Sequence, residues 1–196
     1  MENRLSAEQI RKAEAIYRLD KKLRLTFEVL DSDLKFAEQQ WAKDESSQFW
    51  RRTLVRCFCA HAEGVLSLLK SAIPDIADYF RVSLNGNEFE IVTERRANNK
   101  PAYLSFRENV KETLKIYAKA HTTQIIINYN EPGFDDLCNT FEIRNKLMHP
   151  KKLFDLEVSD APLNAAFRGE KWFATVLTKL LNECVKQRPF PPAEQN

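Results

Sequence analysis

The chain has 196 residues, of which 43% are hydrophobic and 30% are charged, with only 4 glycines and a formal net charge of +2. This length suits one domain and is short for two, and the composition is typical of a helical protein rather than of a sheet protein or a disordered chain. No apolar run approaches the roughly 18 residues that span a bilayer, and the N-terminus lacks the apolar core of a signal peptide, so we expect a cytoplasmic protein without a membrane segment.

Two long helices are predicted for the first part of the chain. Ser6 and Gln9 fit a capping box, and apolar residues then recur every three or four positions from residue 10 to residue 41. A second helix is predicted over residues 47–72. Pro74 either ends this helix or begins a short extra turn.

The least helical pattern of the chain lies between residues 81 and 101. Asn85-Gly86 is a turn signal, and the apolar residues that follow it alternate with polar ones. The sequence therefore allows a small β-hairpin near residues 84–93.

A third helix is predicted over residues 105–121, because Ser105 and Glu108 fit a second capping box. The β-branched run of residues 125–127 comes after it. This run fits either a strand fragment or a buried connection.

Two further helices complete the pattern. Pro132-Gly133 marks a turn before a helix over residues 134–149, and the last helix begins near Pro162 and ends before Pro189. These elements predict an all-α fold, an up-and-down bundle of about five helices. We expect a single domain over residues 1–188, followed by a flexible Pro-rich tail, residues 189–196.

Residues 141–152, with the sequence F-E-I-R-N-K-L-M-H-P-K-K, carry the strongest functional signal. At about 100° per residue, Arg144 projects into the middle of the apolar face of its helix, with Asn145 and His149 on one flank. A guanidinium on a packed face needs an acid, an anion or a water-filled cleft. The structural alternative is an arginine held by a carboxylate and a histidine that only ends a helix.

The run R-N-K-L-M-H-P, residues 144–150, resembles the signature of the HEPN superfamily, small all-α proteins with an Arg, a polar residue and a His near the end of a late helix. Residues 52–66 are similar to an earlier helix of several HEPN families, in which a Glu precedes a small residue, here Glu63 and Gly64. The resemblance implies a ribonuclease-type domain in which Glu63 holds the arginine or an opposing chain. A surface salt bridge is the alternative role for Glu63.

Metal-independent cleavage of RNA requires a base, a proton donor for the leaving oxygen, and positive charge on the phosphorane. His149 can exchange a proton near neutral pH, Arg144 offers a planar fork to phosphate oxygens, and Asn145 can orient either group. Because one histidine supplies only one proton transfer, a homodimer with a composite site is expected. The lysines expected to bind RNA are Lys146, Lys151 and Lys152, and arginines on the same face could add to them: Arg51, Arg52 and Arg56.

The predicted function is therefore a metal-independent endoribonuclease that acts in defence, in a toxin–antitoxin pair or in RNA processing. An antitoxin or a nucleotidyltransferase is a candidate partner. The alternative is a non-catalytic HEPN-like dimeric module that binds a nucleotide or a partner protein. The modest net charge of +2 favours this alternative, because dedicated nucleic-acid binders are usually more basic.

The cysteines and the remaining histidines point to no metal or cofactor. The four cysteines show no C-x-x-C spacing, and Cys57 and Cys59 fall on different faces of the predicted second helix. His61, His121 and His149 match no metal-binding pattern. His61 lies on the inner face of the second helix and is expected to be a hydrogen-bonded core residue.

Overall fold

The computed structural model describes residues 7–95 and 104–187, and these residues form a bundle of six α-helices. The helices are α1 (Ala7–Trp41), α2 (Gln48–Phe80), α3 (Gly86–Thr93), α4 (Phe106–Ala120), α5 (Pro132–Met148) and α6 (Asp160–Lys186), and a 3-10 turn, η1 (Leu153–Leu156), connects α5 to α6. The all-α prediction is confirmed. The prediction of about five helices is one helix short, because the sequence allows a hairpin where α3 forms. The predicted tail, residues 189–196, lies outside the described residues.

Helix α2 is the centre of the bundle. It packs against α1, α3, α4, α5 and α6, while α5 and α6 pair closely with each other. Its inward side chains, among them Leu54, Val65 and Leu69, are fully buried. Each large apolar side chain that is buried in this way contributes about 1.5–3 kcal/mol, so α2 fixes the positions of the surrounding helices.

Both predictions for Pro74, that it ends the second helix or that it begins a short extra turn, are wrong, since α2 continues without a break for six residues to Phe80. A proline inside a helix removes one backbone hydrogen bond and costs about 3 kcal/mol. Pro74 itself is exposed, but Ile73, Ile76 and Ala77 are buried around it. Burial of these neighbours outweighs the lost hydrogen bond.

The prediction of a hairpin near residues 84–93 is also wrong, because residues 86–93 form helix α3. Asn85 is the N-cap: its side chain accepts a hydrogen bond from the Glu88 amide at 2.9 Å, and the Glu88 carboxylate accepts one from the Asn85 amide at 2.8 Å. Lys119 of α4 then binds the Glu88 carboxylate at 2.7 Å. The Asn-Gly pair therefore begins a helix rather than turning a hairpin.

The second capping box is confirmed. The Ser105 hydroxyl accepts a hydrogen bond from the Glu108 amide, and the Glu108 carboxylate accepts one from the Ser105 amide. The first predicted capping box involves Ser6, which lies outside the described residues.

Residues 125–127 form a connection between α4 and α5 that belongs to no helix. Ile125 and Ile127 pack against the core, whereas the Ile126 side chain between them is 88% exposed. Over residues 7–95 and 104–187, no helix is both long and apolar enough to cross a membrane.

Candidate active site at the end of the fifth helix

Arg144 and Glu63 meet between α5 and α2. The Arg144 Nη2 donates a hydrogen bond to the Glu63 carboxylate, and the guanidinium lies over the ring of Phe141, 5.2 Å from its centroid. The side chains of the two charged residues are 25% and 50% exposed, respectively. An acid therefore holds the arginine, but at a solvent-accessible edge and not in a closed interior.

The position of Arg144 follows from the packing of α5. Phe134, Leu137 and Phe141 bury the inner face of this helix. Phe141 in turn stacks on Phe106 of α4, with ring centroids 3.3 Å apart. Since Arg144 lies one turn after Phe141 on the same face, the guanidinium rests on an aromatic ring that two helices fix in place.

The buried thiol of Cys59 lies beside this arginine. Its Sγ donates to the Thr140 carbonyl oxygen at 3.7 Å. Burial raises the pKa of Cys59 to about 12, and the nearby Arg144 only partly opposes that rise. A thiol that stays protonated is a poor nucleophile, so Cys59 is a packing residue and takes no part in the candidate chemistry.

Asn145, Lys146 and His149 are exposed on the last turn of α5 and just after it. The His149 amide donates to the Asn145 carbonyl oxygen at 3.0 Å, and the backbone leaves the helix at His149 with φ −131° and ψ 59°. In the described part of the chain, no hydrogen bond or ion pair holds the His149 side chain. Five residues separate Arg144 from His149, which places the two positions about 7.5 Å apart along the helix axis and about 140° apart around it.

Asp155 shapes the loop that carries the two lysines after the helix. Its carboxylate accepts hydrogen bonds from the Lys151 amide at 2.8 Å and from the Lys152 amide at 3.0 Å. These bonds, together with the charges of Lys152 and Lys146, lower the pKa of Asp155. Both lysine side chains remain exposed next to His149 in sequence. The sequence pattern did not identify Asp155 as part of this region.

Two of the arginines expected on an RNA-binding face have other partners. Arg51 donates to the Val158 carbonyl oxygen at 3.1 Å and forms an ion pair with Asp160 at 2.6 Å, with only 13% of its side chain exposed. Arg52 donates to the Leu156 carbonyl oxygen at 3.1 Å. Both arginines therefore hold the connection between η1 and α6 against the start of α2. Of the three, Arg56 alone is exposed.

His61 is turned away from the candidate site. It lies two residues before Glu63, which places the two side chains about 200° apart around α2. The His61 Nδ1 lies 3.0 Å from a Glu170 carboxylate oxygen, and both side chains are about nine-tenths buried. The ring nitrogen is not aligned with that oxygen and forms no hydrogen bond with the described part of the chain. His61 is a buried residue with an acidic partner, outside the Arg144 site.

A second acid lies near this buried pair. Burial and the negative charge of Glu170 raise the pKa of Glu38 on α1. The folded state therefore disfavours the charged form of Glu38 more than the unfolded state does.

Replacement of Glu38 with Gln is expected to stabilise the protein at pH 7. Because the pKa of Glu38 is raised on folding, the folded wild type loses stability as the pH rises from 4.5, the ordinary pKa, through the raised value, and Glu38→Gln removes this loss. Urea unfolding at pH 4 and pH 7 measures the effect. The gain in the free energy of unfolding should be seen at pH 7 and should be smaller at pH 4. Glu14→Gln, at an exposed position on the same helix, should give no such gain. An equal gain for Glu38→Gln at both pH values would contradict the role given to the charge of Glu38.

Comparison of the chain with protein-family models, with curated proteins and with solved structures gives no match. Among the described residues, no group of three or more His, Cys, Asp or Glu side chains could hold a metal ion. The structure brings Arg144 and Glu63 into contact and leaves Asn145, Lys146, His149, Lys151 and Lys152 exposed at the same end of α5.

Proposed function

We propose that this chain is a metal-independent endoribonuclease that cleaves RNA by attack of a ribose 2′-hydroxyl on the adjacent phosphate. The observation that carries the proposal is the open Arg144–Glu63 contact, which leaves the arginine partly exposed on the helix that ends at the exposed His149. The resemblance of residues 144–150 to the HEPN signature points to the same chemistry.

In the proposed reaction, the 2′ oxygen forms a bond to phosphorus and the bond from phosphorus to the 5′ oxygen breaks. His149 accepts the 2′-hydroxyl proton or donates a proton to the 5′ oxygen. Arg144 neutralises the charge that develops on the phosphorane, and Asn145 hydrogen-bonds the ribose or the phosphate. The products are a 2′,3′-cyclic phosphate and a 5′-hydroxyl.

Glu63 is a positioning residue in this scheme. It binds Nη2 of Arg144, so it fixes the orientation of the guanidinium. The exposed side chains of Lys146, Lys151 and Lys152 add the positive charge that attracts the RNA backbone.

A second copy of the chain supplies the other proton-transfer group. Three large apolar side chains are exposed around the motif: Met148 by 53%, Leu153 by 82% and Phe154 by 73%. Apolar side chains on such a surface favour association. A two-fold axis at this end of the bundle would bury them and bring two copies of His149 together.

The variant Phe154→Asp is expected to be monomeric and to lose cleavage activity, because it places a charge in the proposed interface. Phe36→Asp on α1 is the matched control, since Phe36 is a similarly exposed phenylalanine, at 58%, on another helix. Mass measurement by light scattering during gel filtration should show a dimer for this control. If the Phe36 variant is a monomer and the Phe154 variant is still a dimer, the interface lies on α1. That result would contradict a composite site.

The proposed function is tested by incubating end-labelled mixed-sequence RNA with the full chain in EDTA. We expect fragments that end in a 2′,3′-cyclic phosphate, identified by mass spectrometry and by acid opening of the cyclic ester. A folded chain that leaves the RNA intact would overturn the proposal. We place such an enzyme in the cytoplasm, in defence, toxin–antitoxin or RNA-processing roles, with an antitoxin or a nucleotidyltransferase as a candidate regulator.

The second candidate is a non-catalytic dimeric module that binds a nucleotide or a partner protein. The formal net charge of +2 favours it, because dedicated nucleic-acid binders are usually more basic. Binding of nucleotides or RNA oligomers without turnover in the same EDTA assay is the result that this candidate predicts.

A further inference from the structure

The connection over residues 124–128 has the side-chain pattern of a single β-strand. Gln124, Ile126 and Asn128 are exposed, whereas Ile125 and Ile127 are partly buried against the core. None of these five residues forms a backbone–backbone hydrogen bond with the described part of the chain, and the Asn128 side chain accepts one from the Asn130 amide at 3.0 Å. Side chains that alternate between core and solvent indicate an extended backbone.

The segment is held at both ends and in the middle. The Thr123 amide donates to the Ala118 carbonyl oxygen at 3.0 Å, and Lys179 donates to the Ile126 carbonyl oxygen at 3.4 Å. At its end, the Tyr129 hydroxyl donates to the Lys111 carbonyl oxygen at 3.5 Å, and the Tyr129 ring packs on Phe134 with centroids 5.1 Å apart. The backbone is therefore positioned before any partner arrives, which lowers the entropic cost of binding.

One edge of this segment faces an open cleft. The backbone groups of successive residues in an extended chain point to opposite edges. Thr123 points toward α4 and Ile126 points toward Lys179 of α6, so the amide and carbonyl groups of Ile125 and Ile127 face α4. A cleft of about 790 Å³ lies between this edge and α4.

The cleft is positively charged. Lys111, Lys115 and Lys119 line it from α4 at four-residue intervals, with Glu112 as the acid among its lining residues. Lys119 binds Glu88, but the Lys115 side chain is 70% exposed and its contact with Glu112 is long, at 3.4 Å. Positive charge next to unpaired backbone groups favours an extended ligand with acidic side chains.

We propose that residues 124–128 are an edge strand that binds an extended, acidic segment of a partner protein in the cleft beside α4. The partner backbone pairs with the amide and carbonyl groups of Ile125 and Ile127, its apolar side chains continue the surface of Ile125 and Ile127, and its acidic side chains meet Lys111 and Lys115. A second copy of this chain fits the cleft less well, because antiparallel pairing of two such edges would bring the same lysines together. The site is separate from Arg144 and does not depend on the proposed ribonuclease activity.

The experiment measures binding of the fluorescein-labelled peptide acetyl-EVEVEVE-amide to the full chain by fluorescence anisotropy. We expect saturable binding that falls by at least about tenfold for Ile127→Pro, which removes an amide facing the cleft. Ile126→Pro is the matched control, because it removes an amide that faces the opposite edge. Lys115→Glu, at an exposed position, should lower the affinity for the acidic peptide and raise the affinity for the lysine analogue, acetyl-KVKVKVK-amide. This test does not depend on the folding of the proline variants.

Several outcomes would overturn the proposal. Equal affinity for the acidic and lysine peptides, or no change for Lys115→Glu, would show that the cleft does not select an acidic strand. If a labelled uridine oligonucleotide competes with the acidic peptide, and if Lys115→Glu lowers the affinity of that oligonucleotide, the cleft is a nucleic-acid-binding surface. Self-association of the chain that Ile127→Pro abolishes would identify a second copy as the occupant.

Discussion

Alanine at Arg144 or at His149 is expected to lower the rate of RNA cleavage at least about a hundredfold while the chain stays folded. Removal of a proton-transfer group typically costs 10²–10⁴ in rate, and removal of a donor that stabilises developing negative charge costs about 10²–10³. Both side chains are at least partly exposed, and the contact of Arg144 with Glu63 lies at the surface, so neither change empties a core position. Single-turnover cleavage of one labelled RNA in EDTA measures the loss.

Arg24→Ala is the matched control for these variants, since Arg24 is an exposed arginine of α1 that pairs with the exposed Glu28. It should cleave at the wild-type rate. A wild-type rate in either the Arg144 or the His149 variant would remove that residue from the mechanism. A loss that is accompanied by a lower unfolding temperature would instead identify a structural role.

The weakness of the contact between Arg144 and Glu63 suits a phosphate-binding arginine. An ion pair with partners exposed by 25% and 50% contributes only about 0–1 kcal/mol to stability. A phosphodiester can therefore share or displace the carboxylate at small cost. A fully buried partner would hold the guanidinium several times more tightly and would keep it from an incoming anion.

The periodicity of the sequence located what depends on local structure. The capping box of Ser105 and Glu108 is confirmed because both of its hydrogen bonds lie within four residues. The apolar face of α5 follows from the 3.6-residue repeat, so Arg144 could be singled out before its partner was seen. Glu63 came from the family resemblance, because no local pattern joins residues 81 positions apart.

The features that sequence reasoning missed depend on contacts between distant segments. Pro74 stays inside α2 because buried neighbours outweigh a lost hydrogen bond, and Asn85-Gly86 begins a helix because Glu88 completes its cap and meets Lys119. Arg51 and Arg52 bind backbone carbonyl oxygens of η1 and of the segment that joins it to α6. Because every residue has a backbone carbonyl oxygen, such a partner leaves no mark in the sequence. No residue pattern could therefore have marked these arginines as structural rather than RNA-binding.

Gly169→Ala is expected to destabilise the protein by about 2–3 kcal/mol, because it forces α5 and α6 apart. A Cβ at Gly169 would lie 2.5 Å from the Leu137 backbone nitrogen and 2.6 Å from the Leu137 Cα. These atoms belong to the backbone of α5, so no side-chain rotation relieves the contact and the helix itself must shift. Because α5 also carries Arg144, the variant should lose part of any cleavage activity together with its stability. Urea unfolding measures the change in free energy.

Gly86→Ala provides the contrast, since a Cβ at that position would meet nothing within 4 Å. Gly86 is the first residue of α3, where alanine costs nothing sterically and restricts the unfolded chain, so we expect a neutral or stabilising change of up to about 1 kcal/mol. The two variants add the same methyl group at the same residue type and differ in what the group touches. Equal urea-unfolding midpoints for the two variants would show that α5 and α6 do not approach closely at Gly169 in solution. The placement of Arg144 between α5 and α2 would then lose its support.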